Sequence, residues 1–130
     1  MRGTNSTEGE NFRDNRGFRN LIVWKRMMEL VVLVYKLTKD FPTDEKFGLV
    51  SQMRRAVVSV LSNFVEGYLK SSKKEKLVYM ERSATSLLEL DAQAEVCLAL
   101  TYFAEEDFRA FANKKAEVGY LLHRYKEKIL

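Results

Sequence analysis

The residues able to do chemistry are few, and their types narrow the field at once. One cysteine, Cys97, and one histidine, His123, stand among 130 residues. A single Cys cannot build a disulfide framework or a cysteine-ligated zinc cluster. A single His cannot supply the two Glu-x-x-His pairs of a ferritin-like carboxylate centre. Cys97 falls on an apolar stretch, where cysteine behaves as a small core hydrophobe. Glu105 and Glu106 are helix-start acids rather than a catalytic dyad, and Glu89 and Asp91, two apart, face different sides of a helix. No general acid-base pair or activated nucleophile emerges, so the chain is expected not to be an enzyme and to carry no cofactor and no metal.

Two other sets of polar residues remain. Gln52, Arg55, Ser59, Ser62 and Glu66 recur at three-four spacing, flanked by Arg54 and Asn63, and Arg82, Ser86, Glu89 and Gln93 repeat the pattern downstream. Two readings are open: a pair of solvated helix faces, or a hydrogen-bonded network in which the arginines pair with Glu66, Glu89 or Asp91. Small Ser59, Ser62 and Ser86 would allow close helix approach. The second set is cationic: Arg19, Lys25 and Arg26, then Lys70, Lys73, Lys74 and Lys76, then Arg124, Lys126 and Lys128.

The elements that must position these groups are helices. The chain is 46% hydrophobic and 31% charged, with one Pro and six Gly, too little turn chemistry for anything but an all-α fold. The longest apolar run, Leu30 to Tyr35, is far too short to span a membrane. No secretory signal is visible, so a cytoplasmic protein without membrane contact is expected. Residues 1–17 are polar and carry Arg2, Arg13 and Arg16; they are expected to form a mobile tail before a domain at 18–130.

Four segments follow. The first, about Leu21 to Lys39, carries two apolar stripes: Trp24, Met27, Val31, Val34, Thr38 and Phe41, and Val23, Leu30, Leu33 and Leu37. Phe41-Pro42 ends it. Thr43 is expected to cap the second helix, whose seam is Val50, Met53, Val57, Val60 and Phe64 and whose end is Gly67 as a left-handed C′ residue. Ser72 to Glu75 matches a capping box opening the third helix. Its seam is Leu77, Met80, Ala84, Leu87, Ala94, Leu98 and Thr101, with Asp91 the one charged occupant. The fourth starts near Glu105 on a seam of Phe108, Phe111, Val118, Leu122, Tyr125 and Ile129, with Lys115 the exception. Short connections force antiparallel neighbours, an up-down-up-down four-helix bundle.

That topology gives the charges a place. The start of the first helix, the second connection and the end of the fourth helix share one pole, where windows 19–29, 66–76 and 121–130 sum to +6. The opposite pole, windows 36–46 and 95–109, sums to −3. Complementing helix macrodipoles accounts for the fourth helix but not for Lys73, Lys74 and Lys76, cations at a helix start. A cationic pole is the footprint of a phosphate backbone. With no base-reading motif, such binding would be electrostatic and weakly sequence-selective.

The run Phe41-Pro42-x-x-Glu45-x-Phe47-Gly48-Leu49-x-x-Gln52-x-Arg54-Arg55-Ala56-x-x-Ser59-x-x-Ser62-Asn63-x-x-Glu66-Gly67 resembles the signature of a bacterial four-helix-bundle family. That family is known from reading frames inside intervening sequences of 23S ribosomal RNA genes. Ser86-Leu87-x-Glu89-Leu90 and Leu21-x-Val23-Trp24 are also similar to it. This chain departs from the pattern at Val60-Leu61 (usually Ile-Pro), Phe64-Val65 (Ile-Ala) and Thr85 (Gly). The resemblance implies a homopentameric ring. It also implies a relation to the accessory variability determinants of diversity-generating retroelements, basic pentamers that bind nucleic acid and a reverse transcriptase. A ring would set every basic pole on one side and favours the network reading of the polar stripe.

The sequence therefore leads to an expected function: an oligomeric, non-enzymatic protein that binds RNA or DNA phosphates. The residues expected to do so are Lys25, Arg26, Lys70, Lys73, Lys74, Lys76, Arg124, Lys126 and Lys128. The alternative is a structural or adaptor ring that holds a protein partner such as a reverse transcriptase.

Overall fold

The computed structural model describes residues 17–130. Four α-helices carry the fold: α1 (Ile22–Thr38), α2 (Leu49–Leu69), α3 (Lys73–Ala99) and α4 (Glu105–Ile129). Two 3-10 turns precede α1 and α2, at Gly17–Asn20 and Thr43–Glu45, and there is no strand among the described residues. Each helix packs on its sequence neighbour and α4 returns to α1, closing the antiparallel four-helix bundle; α2 and α3 form the most extensive pair. The expected tail and its arginines lie outside the described residues. Gly17, assigned to that tail, belongs to the domain: it opens the first 3-10 turn, and a Cβ there would come within 3.0 Å of the Tyr68 hydroxyl.

The core follows the helical spacing, with two corrections. On α2, Val50, Met53, Val57, Val60 and Phe64 are all buried, as their alternation requires. On α1 the two expected stripes collapse into one buried line drawn from both: Val23, Met27, Leu30, Val34 and Thr38. Trp24, Val31, Leu37 and Phe41 flank it, half-buried. On α3, Met80, Leu87 and Ala94 are buried, but their companions are Ser83, Leu90 and Cys97; Leu98 is half-buried and Thr101 exposed. Ser83 can sit there because its hydroxyl donates to the Val60 carbonyl across the α2–α3 contact, at 2.7 Å. A buried polar group is tolerated once bonded. α4 buries Phe111, Val118, Leu122 and Ile129.

Helix ends carry three further findings. Thr43 is not the cap of α2: it begins the 3-10 turn, and α2 starts six residues later behind Gly48. Glu45 still serves that helix from outside, accepting the Leu49 N–H at 3.2 Å, while its other oxygen accepts the Tyr102 hydroxyl at 2.9 Å. An acid there meets the positive end of the helix.

Gly67 is not a left-handed terminator, because α2 continues to Leu69 and no described glycine has positive φ. A Cβ on Gly67 would lie 2.6 Å from Met80 Cε and 2.8 Å from Tyr79 Cβ, so its role is to let α3 come close. The left-handed position belongs instead to Thr101, with φ of 62° just past α3. There Tyr102 N–H reaches the Cys97 carbonyl at 2.8 Å and Thr101 N–H the Leu98 carbonyl at 3.0 Å, the Schellman pattern. Ser72 caps α3 as expected, its hydroxyl oxygen accepting the Glu75 N–H at 3.1 Å.

Candidate nucleic-acid interface

Aromatic contacts fix the two poles. At one, Phe18 of the first turn stacks on Trp24 and meets Tyr68 edge-on at 6.1 Å, and Phe64 meets Tyr125 of α4 at 5.1 Å. At the other, Phe41 packs on Tyr102 and Phe103 at 5.2 and 5.6 Å. The start of α1, the α2–α3 connection and the end of α4 therefore share one pole, where the sequence set its surplus of cations. Lys73 and Lys76 of α3 and Lys128 of α4 line a single cleft of about 380 Å³ with Tyr125 and Ile129.

The nine expected phosphate contacts divide once side chains are placed. Arg26 is drawn into a four-membered ion network on the α1–α4 flank: it meets Glu29 at 2.8 Å and Glu117 at 3.1 Å, and Lys114 bridges the same two acids at 2.7 and 3.1 Å. The Lys114 ammonium, with Arg26 beside it, holds the Glu29 carboxyl below its usual range. Lys126 pairs with Glu81 at 3.3 Å, and Arg124 with Glu127 at 3.4 Å. Lys76 donates to the Tyr68 carbonyl at 2.8 Å, and Lys70 lies over the Tyr79 ring at 5.1 Å. Lys25, Lys73, Lys74 and Lys128 make no ion pair among the described residues. Charge available to a ligand thus concentrates on Lys25 and on the connection and cleft lysines, not on the arginines.

The polar stripe splits in the same way. Ser59 and Ser86 share a hydrogen bond of 2.9 Å between α2 and α3, and Asn63 donates to both the Ser59 hydroxyl and carbonyl at 2.9 Å. Ser62 makes only a long bond, 3.5 Å, back to Ser59. Arg54 does not seek the expected carboxylates: it donates to Thr38 Oγ1 at 3.0 Å and the Tyr35 carbonyl at 3.3 Å, and stacks on the Tyr35 ring. Gln52, Arg55, Glu66 and Glu89 are exposed. Asp91 pairs with Lys115 of α4 at 3.3 Å. A short inter-helix network exists, therefore, but it is built from hydroxyls and an amide. Thr85 is exposed, and its hydroxyl donates back to the Glu81 carbonyl at 3.0 Å.

The remaining candidates behave as packing or surface. Cys97 is fully buried with its Sγ 3.5 Å from Met53 Sδ, and burial pushes its thiol up to about 11, the reverse of an activated nucleophile. His123 is exposed and sits 3.5 Å from Glu127. No cluster of metal-ligating side chains occurs among the described residues. The aromatic members of the cationic pole, Tyr68, Tyr79 and Tyr125, escaped the charge-based reading. Their signal was available as tyrosines interleaved with Lys70, Lys76 and Lys126.

Residues 19–124 match the family model described as 23S rRNA-intervening sequence protein. The chain belongs to that family. As a 23S rRNA-intervening sequence protein it is also similar to a solved structure, a protein of unknown function from the S23 ribosomal protein family of Bacteroides thetaiotaomicron. The two align with a TM-score of 0.72 at 18% identity, over 81% of this chain and 98% of that one. At that identity the likeness establishes the fold of this family member. None of the curated proteins matches the chain. Lys126, Lys128 and Ile129 lie beyond the span matched to the family. No described helix is long and apolar enough to cross a membrane.

Proposed function

We propose that this 23S rRNA-intervening sequence protein is a non-enzymatic nucleic-acid-binding protein that docks RNA or DNA phosphates on its cationic pole. The observation that carries the reading is the cleft shared by Lys73, Lys76 and Lys128, cations from two helices whose sequence positions are far apart. A cation at the start of a helix opposes the macrodipole, so the fold gives up a little stability to hold Lys73 there, whereas Lys76 is held by the Tyr68 carbonyl in the last turn of α2. A polyanion repays that cost by releasing its counterions on binding. Lys70, Lys74 and Lys25 extend the surface; Arg26, Arg124 and Lys126, tied to carboxylates, contribute less.

Filter binding over rising salt tests this. Affinity should fall steeply, with a log–log slope of roughly −0.7 to −0.9 per phosphate engaged. An affinity indifferent to salt would refute the mechanism.

A second reading concerns assembly. Phe47 is 88% exposed, Leu88 67% and Val32 61%, large apolar groups that self-association or a protein partner would cover. We read the protein as a homo-oligomer, a ring of five in the form the resemblance implies. A protein partner such as a reverse transcriptase is the competing occupant. Light scattering on the purified protein decides: a monomer at micromolar concentration contradicts the ring.

A further inference from the structure

The cationic pole is more than a charged surface, because its lysines surround a cleft with a hydrophobic wall. At about 380 Å³ the cleft falls within the ~300–1,000 Å³ of small-molecule sites. Tyr125, half-buried, supplies the apolar surface with the buried Ile129 as the floor, Lys73, Lys76 and Lys128 form the rim, and none of the lining residues is acidic. Tyr125 is also packed edge-to-face with Phe64, ring centroids 5.1 Å apart, which ties its ring to the core.

A duplex has no use for such a cavity. Its bases are stacked inward, and it meets a protein with a convex row of phosphates that any exposed cations can serve. A single strand offers both of the groups this cleft is built for: a flat aromatic base to lie on a ring, and a phosphate on the same nucleotide for the ammonium groups. An acidic peptide would satisfy the lysines but leave the ring wet. We propose that the cleft takes one unstacked nucleotide of a single-stranded nucleic acid, base against the Tyr125 ring, phosphate on Lys73, Lys76 and Lys128. Tyr125 and Lys128 also line a smaller neighbouring cleft, of about 120 Å³, on the α1 side. They form a ridge over which the strand passes. The inference rests on the proposed polyanion function and adds strand selectivity to it.

Fluorescence anisotropy with short oligonucleotides of one sequence distinguishes the two claims. Three probes are compared at each salt concentration: the single strand, its blunt duplex, and the same strand with abasic residues throughout. The intact single strand should bind about tenfold or more tighter than either other probe, the scale of one base stacked on an aromatic side chain. In the Tyr125→Leu variant that preference should shrink, while the Lys73→Gln, Lys128→Gln double variant should weaken all three probes together and Lys46→Gln at the opposite pole should leave binding intact. Circular dichroism checks that the variants, three lysines exposed and Tyr125 half-buried, stay folded. Equal, salt-sensitive affinity for the three probes overturns the nucleotide cleft and leaves the polyanion function standing. A preference untouched by Tyr125→Leu also overturns the cleft. Binding to none of the probes removes both.

Discussion

Asp91 Oδ2 of α3 and Lys115 Nζ of α4 lie 3.3 Å apart. Each is the one charged residue interrupting the apolar spacing of its own helix, and the structure shows the two exceptions to be a single feature. Each half-buried charge is accommodated because the other faces it across the α3–α4 contact.

That pairing predicts coupling. Asp91→Asn and Lys115→Met should each destabilise the fold, and the double variant should lose less than the sum. Both side chains keep about a third of their surface in solvent, so the coupling should be about 0.5–1 kcal/mol, the range for partly exposed pairs. Urea titration of the four proteins measures it; strict additivity would show that the contact does nothing.

Two helical glycines should respond in opposite senses to the same substitution. Gly67→Ala drives a methyl group into Met80 and Tyr79 of α3, and overpacking of this kind costs about 1–3 kcal/mol. Gly119→Ala meets only Leu87 Cδ2 at an ordinary 3.5 Å, so the gain in helix propensity, roughly 0.5–1 kcal/mol, should appear as added stability. Shifts of the same sign would contradict the packing described.

Thr101 holds a β-branched side chain at positive φ, a conformation that costs non-glycine residues about 1–3 kcal/mol. Thr101→Gly should therefore stabilise the protein by about 1 kcal/mol and raise its Tm by a few degrees, at the expense of an exposed hydrogen bond to the Leu100 carbonyl. A lower Tm would mean that the strain is absent.

Cys97 should resist alkylation at pH 8 in the native protein and react at once in urea. Burial lifts its folded pKa to about 11 from an ordinary 9.0, so above pH 9 the unfolded chain loses the proton first. Stability contributed by the neutral thiol is complete below pH 9 and is lost as pH rises through 11. Burial raises Tyr125, and the hydrogen bond to Glu45 chiefly raises Tyr102, in the same direction. A denaturation series across pH 8 to 11 should show monotonic loss.

On the cationic pole, neutralising Lys73 or Lys128 should weaken oligonucleotide binding and flatten its salt dependence by about 0.7–0.9 in slope per contact. Arg26→Gln and Lys126→Gln should change binding less, because their charges are already met by Glu29, Glu117 and Glu81. Equal losses at all four positions would show that the ion pairs open for the ligand.

Much of this architecture is legible in the order of residues. Helix spacing places Val50, Met53, Val57, Val60 and Phe64 on one face because residues three and four apart share a side of an α-helix. Scarce Pro and Gly leave few places to turn, and short connections then make neighbouring helices antiparallel. From this the gathering of lysines from the start of α1, the α2–α3 connection and the end of α4 at one pole follows without coordinates.

Side-chain reach and helix rotation are not legible in the same way. Neighbouring faces of α3 both carry three-four alternation, and only contact with α2 decides that Ser83 and Cys97, rather than Leu98 and Thr101, turn inward. A long arginine can swing to either side of its helix, so Arg26 becomes an ion-network member and Arg54 a cap for the end of α1. Gly67 could mark an end or a close approach, and the distance to Met80 settles which. Periodicity is local and survives in one dimension; rotation about the helix axis, partner choice and the cleft at the pole are relations between segments, and they exist only once the four helices have packed.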